Sequence, residues 1–92
     1  MLEPIAQSRG AAMFSDERWR DISLALGLSP RESQIVRCFF NNDKESAIAE
    51  ALGISVHTVH TYCRRLYRKL NTDSRLGVIL CIVDQHLELI SD

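Results

Sequence analysis

Between Ser55 and Leu70 stand four basic side chains, Arg64, Arg65, Arg68 and Lys69, with His57 and His60 and no acid. These are residue types that read or grip a nucleic acid. Arginine can fork onto guanine O6 and N7, and threonine can touch a thymine methyl or a phosphate. Histidine can donate to guanine or to a phosphate. At 100° per residue, Val56, Val59, Cys63, Leu66 and Leu70 fall within one stripe about 80° wide, which is expected to face a core. The opposite side presents His57, Thr61, Arg64, Arg65 and Arg68, with His60 and Tyr67 on one flank and Thr58 and Lys69 on the other. Charges of one sign on one helical face repel along i,i+4 pairs unless something anionic compensates. Ser55 and Thr58, at the helix start, add backbone N–H groups that can hold a phosphate.

The rest of the chain narrows the chemistry. Its 92 residues favour a single small domain. The composition, 46% apolar and 25% charged, is that of a soluble globular protein. The net charge of −1 argues by itself against a nucleic-acid binder. The positive charge is nevertheless local, because the segments 1–28 and 29–54 each carry three basic and four acidic groups. A local patch can still release counterions from a phosphate backbone. No segment approaches the roughly 18 uninterrupted apolar residues of a membrane span, and the N-terminus lacks the basic start and apolar stretch of a signal peptide. Cys38, Cys63 and Cys81 form no CxxC pair, so reduced thiols in a cytoplasm are expected.

Neither a metal nor a cofactor is expected. His57, His60 and Cys63 have i, i+3, i+6 spacing, but they spread over about 120° of the helix with Cys63 in the core stripe. A Gly-rich phosphate loop, a paired carboxylate site and a nucleophile with a nearby base are all missing from the sequence, so no enzymatic activity is expected.

The basic helix needs a scaffold, and the flanking sequence predicts one made only of helices. Residues 1–12 contain Pro4 and Gly10 without periodicity and read as a mobile leader. Residues 13–27 read as a short helix capped by Ser15, with Trp19, Ile22 and Leu26 on one face and Gly27 as its stop. Ser29-Pro30-Arg31-Glu32 is a capping box with proline at the first helical position. It opens a helix whose Ile35, Val36, Phe39 and Phe40 point inward until Asn41-Asn42-Asp43 breaks it. A shorter helix follows near Lys44–Leu52, with Ala47, Ile48, Ala51 and Leu52 inward and Gly53 as its end. Ser55 then caps the basic helix after almost no connection, which is a helix-turn-helix signature. A last helix runs from Ser74 to about Leu89.

From Leu28 to about Val83 the chain resembles the LuxR-type (GerE-like) helix-turn-helix domain of bacterial transcription regulators. The matching residues are Leu28-Ser29-Pro30-Arg31-Glu32, Ile48-Ala49-x-x-Leu52-x-Ile54-Ser55, Thr58-Val59, Lys69-Leu70 and Ser74-Arg75, aligned without gaps. The resemblance implies an all-α, four-helix bundle over residues 28–92, here with an additional short N-terminal helix. Its third helix would enter the major groove and its fourth would support dimerisation. It also implies base reading by His60, Thr61 and Arg64, and phosphate contacts from Thr58, Arg65 and Arg68. Two positions depart from the family pattern: His60 stands where lysine is common, and Glu45-Ser46 where Asn-Lys is common. Both imply weaker non-specific binding.

A second surface is expected on the last helix. Leu76, Ile79, Leu80, Val83, Leu87 and Ile90 form one apolar stripe, assigned to the core. Val78, Ile82, Gln85 and Leu89 form another at spacings of four, three and four. This second stripe reads as a homodimer seam with Gln85 setting register, unless the helix around Trp19 folds back to cover it. The stretch before Leu28 is too short for a receiver or ligand-sensing domain, so regulation is expected from a separate protein. The expected function is that of a sequence-specific regulator of transcription binding double-stranded DNA. The alternative is a protein–protein module that pairs with another helix-turn-helix regulator and modulates it. A more remote reading is a promoter-recognition fragment resembling the fourth region of sigma factors.

Overall fold

The computed structural model describes residues 10–91, all of them helix or the short turns between helices. A single 3-10 turn, Gly10–Met13, is followed by α1 (Asp16–Leu26), α2 (Pro30–Phe40), α3 (Glu45–Leu52), α4 (Val56–Lys69) and α5 (Arg75–Ile90). Local side chains set most of these boundaries. The Ser15, Ser55 and Ser74 hydroxyls accept from the backbone N–H three residues on, at 3.0 Å in each case. Ser29 and Glu32 close the capping box reciprocally, at 3.1 and 2.8 Å. Gly27 and Gly53 end α1 and α3 in the left-handed region at φ 68° and 66°, where a Cβ would be strained. With Gly53 turning the chain and Ser55 capping the next helix, α3 and α4 need only three residues between them.

The core takes side chains from every helix: Trp19 and Ile22, then Ile35, Val36 and Phe39, then Ile48 and Ala49, then Val59, Cys63 and Leu66, and finally Val78 and Ile82. On α3 the inward register is Ile48 and Ala49 with Leu52 half-buried, whereas Ala47 and Ala51, expected inside, are exposed. Alanine is small enough to sit on either face, so its hydrophobicity does not fix the rotation of so short a helix.

The larger correction concerns α5. Val78 and Ile82, expected at a dimer seam, are fully buried within the single chain; Gln85 is half-buried and Leu89 is 37% exposed. Most of the stripe assigned to the core instead faces outward, with Leu76, Leu80, Leu87 and Ile90 each more than half exposed, while Ile79 packs against the core and Val83 is half-buried. Both stripes are apolar, so side chains from elsewhere choose between them. The Arg75 guanidinium lies 4.3 Å over the Phe39 ring and donates to the Asp43 carbonyl, which sets the rotation of α5 at its first turn. At the other end, His86 stacks on Phe14 with ring centroids 4.5 Å apart. The helix around Trp19 does fold back: α1 packs along α5 and closes over the Val78–Ile82 side.

The N-terminal segment is also better anchored than a mobile leader would be. Asn41 Oδ1 accepts from the Ala11 N–H at 2.8 Å, and Trp19 Nε1 donates to the Ala11 carbonyl at 2.7 Å. Phe14 packs edge-on to Trp19 and tilted against Phe40. Residues 10–12 of that expected leader are therefore structured, while residues 1–9 lie outside the described residues. Arg37 ties α2 to α1 through Asp16 at 2.6 Å. Among the described residues, no helix is long and apolar enough to cross a membrane.

Candidate nucleic-acid interface

Three buried side chains, Val59, Cys63 and Leu66, fasten α4 to the body, with Leu70 half-buried beyond them. Val56, expected in the same stripe, is 47% exposed at the first turn of α4. At the far end Lys69 is drawn away from the basic face. Its Nζ donates to Glu32 Oε1 at 2.7 Å and to the Gly27 carbonyl at 3.0 Å. Burial pushes the Glu32 carboxyl up, but hydrogen bonds from Lys69 and from the Ser29 N–H, with the Lys69 charge, outweigh it and hold the pKa below the usual range. The same carboxylate thus caps α2 and anchors the last turn of α4.

What α4 leaves to solvent is one-sided. His57, His60, Thr61, Arg64, Arg65 and Arg68 are all exposed. Thr61, Arg64, Arg65 and Arg68 together line a shallow depression of about 180 Å³. Thr61 Oγ1 donates back to the His57 carbonyl at 3.2 Å, so the hydroxyl keeps its capacity to accept on an exposed residue. The Arg65 guanidinium lies 5.5 Å from the Tyr62 ring, a platform that limits its freedom. Among the described residues, Arg64, Arg65 and Arg68 have no acidic partner. Thr58 is half-buried in the first turn and shares a 2.9 Å hydroxyl contact with Ser55. His60 lies apart from the depression, with its Nδ1 3.8 Å from Glu45 Oε1 of α3.

The structure thus brings Thr61, Arg64, Arg65 and Arg68 onto one surface, sets Thr58 and His60 at its edges, and removes Lys69 from it. Two contacts of this face went unread in the sequence, the Tyr62 platform for Arg65 and the Glu45 partner of His60. Tyr62 was legible in principle, because it precedes Arg65 by three residues on the same helix. The pairing of Glu45 with His60 was not, because only the packing of α3 on α4 brings the two together.

The thiol of Cys63 is pushed up to about 11, by burial first and then by the nearby Glu45 charge. It therefore stays protonated at neutral pH and is poorly suited to be a nucleophile or a metal ligand. Among the described residues, no group of three His, Cys, Asp or Glu side chains is placed to hold a metal ion.

Comparison with known families matches residues 26–82 to the model described as bacterial regulatory proteins, luxR family. Neither the comparison with curated proteins nor that with solved structures finds a match. The matched stretch begins at the last residue of α1, spans the capping box, the α3–α4 turn and the basic helix, and ends midway along α5. With more than half of its residues in that match, the chain belongs to the luxR family of bacterial regulatory proteins, whose helix-turn-helix domains bind DNA.

Proposed function

We propose that this chain is a sequence-specific, double-stranded DNA-binding regulator of transcription that lays α4 in the major groove. The observation that carries the reading is the exposed side of α4. It is a rigid face of one sign of charge, held by a buried stripe on one side and by Lys69 on Glu32 at its end. Thr61 and Arg64, exposed on that face, meet base edges, with His60 at its edge. Arg65 and Arg68 extend towards the backbone, and the first turn of α4 offers Thr58 and its N–H groups to a phosphate. The work is done in the cytoplasm and without catalysis.

The protein acts as a homodimer through the exposed face of α5, formed by Leu76, Leu80, Leu87 and Ile90 rather than by the buried Val78 and Ile82. These four side chains lie within about 80° of one another around the helix and make a continuous apolar strip. A two-fold pair of such domains suits half-sites about one helical turn apart.

That same strip, together with the net charge of −1, favours the second reading, a module that pairs with another helix-turn-helix regulator. Titration with mixed duplex DNA at two salt concentrations separates the two. DNA binding requires affinity to fall steeply with salt. Arg64→Ala should cost about 1–3 kcal/mol of discrimination at one base pair, whereas Arg68→Ala should weaken all sequences alike and reduce the salt slope by about 1. An absence of binding at low salt leaves the pairing module as the function.

A further inference from the structure

Glu45 opens α3 on the side that packs against α4, and its Oε1 stands 3.8 Å from His60 Nδ1. The carboxylate and the ring are 39% and 58% exposed, so both reach solvent and a small rotation brings them to hydrogen-bond distance. The carboxylate also lies near enough to act on the Cys63 thiol, which places it along the α3 side of α4. Among the described residues, the other charges near the ring form no ion pair with it. Arg75 of α5 is held on the Asp43 carbonyl and the Phe39 ring. Lys44, beside Glu45, is exposed, and His57 and Arg64 lie one turn away on α4 itself. Among the described residues, only Glu45 stands within ion-pair distance of His60.

A carboxylate facing Nδ1 holds the imidazole proton on that nitrogen. In the neutral ring Nε2 is then a bare acceptor. In the major groove it complements a base that offers an exocyclic amine, adenine N6 or cytosine N4, and it is mismatched to the O6 and N7 acceptors of guanine. One proton from solvent reverses this, because Nε2 becomes a donor and guanine the matching base.

Building on the proposed DNA reading, we infer that His60 and Glu45 form one base-reading unit. It prefers an amine-bearing base when the ring is neutral and guanine when the ring is protonated. Glu45 reaches no phosphate productively, since its charge repels the backbone. It lowers affinity for all sequences while sharpening the choice at one base pair.

The test is selection of bound duplexes from a randomised library at about pH 5.5 and about pH 8, a range over which imidazole ordinarily changes charge. At one base pair per half-site the wild type should favour guanine about tenfold at the lower pH and an amine-bearing base by a similar factor at the higher, the scale of one well-placed hydrogen bond. Glu45→Ala should bind every duplex more tightly yet lose the preference at the higher pH, which a merely structural role for Glu45 would not produce. His60→Lys should favour guanine at both. Identical wild-type preferences at the two pH values, or an inversion that persists in Glu45→Ala, overturns the inference while DNA binding stands. Failure of the wild type to retain any duplex at either pH overturns the DNA reading itself, and the inference with it.

Discussion

Replacing Lys69 with methionine keeps the length and apolar stem of the side chain and removes two hydrogen bonds, to Glu32 at 2.7 Å and to the Gly27 carbonyl at 3.0 Å. Glu32 is the more demanding partner, because its side chain is only 6% exposed and would keep its charge after losing its cation. Fully buried pairs broken on one side cost about 3–5 kcal/mol, and exposed pairs about 0.2–1 kcal/mol. Lys69 is 38% exposed, so water can partly replace it, and Glu32 keeps its bond from the Ser29 N–H. The loss should therefore be about 2 kcal/mol, or a fall in Tm of about 10 °C for a domain of this size.

The pH dependence has a definite sign. The folded pKa of Glu32 is lowered, so the stability it contributes is present above the unfolded value of about 4.3 and is lost as pH falls through the folded value. Thermal unfolding followed by circular dichroism should show the full gap between wild type and Lys69→Met at pH 7. The gap should narrow steadily below about pH 4 as Glu32 protonates in both proteins. Glu32→Gln combined with Lys69→Met should recover part of the loss, since it removes the unpaired charge. A gap of equal size at both ends of the pH range, or none at pH 7, would refute the account of Lys69 as an anchor.

Three further outcomes test the packing. Leu80→Glu, at a site 59% exposed, should leave helicity and Tm nearly unchanged while sedimentation shows the dimer reduced to monomer; Ile82→Glu, at a fully buried site, should unfold the domain at a cost above about 4 kcal/mol. The buried Cys63 thiol, with its pKa at about 11, should resist a thiol reagent at pH 8 in the folded protein and react at once in denaturant.

Much of the architecture was legible because the signals were local. Ser15, Ser29 with Glu32, Ser55 and Ser74 announce helix starts through bonds to an N–H three residues away, and Gly27 and Gly53 announce ends through a backbone conformation. The basic face was legible for the same reason: residues on one helix keep their angular order whatever the helix packs against, so Thr61, Arg64, Arg65 and Arg68 had to share a side. The misreadings fall where a helix offers more than one apolar face or carries a charge at its edge. On α5 two apolar stripes competed, and on α3 the alanines did not discriminate. On α4, Lys69 looked like one more member of a basic patch.

The sequence alone therefore determined a helix-turn-helix with one basic, outward-facing helix, since helical periodicity and capping depend only on neighbours within a turn. Only the tertiary structure decided which stripe of α5 the core would take, because Arg75 on Phe39 and α1 along its flank supply the contacts that break the tie. It also decided that Lys69 would serve the fold, by meeting a carboxylate 37 residues earlier in the chain, and that His60 would face Glu45. Those pairings are fixed by how whole helices dock, and no periodicity within a single helix encodes them.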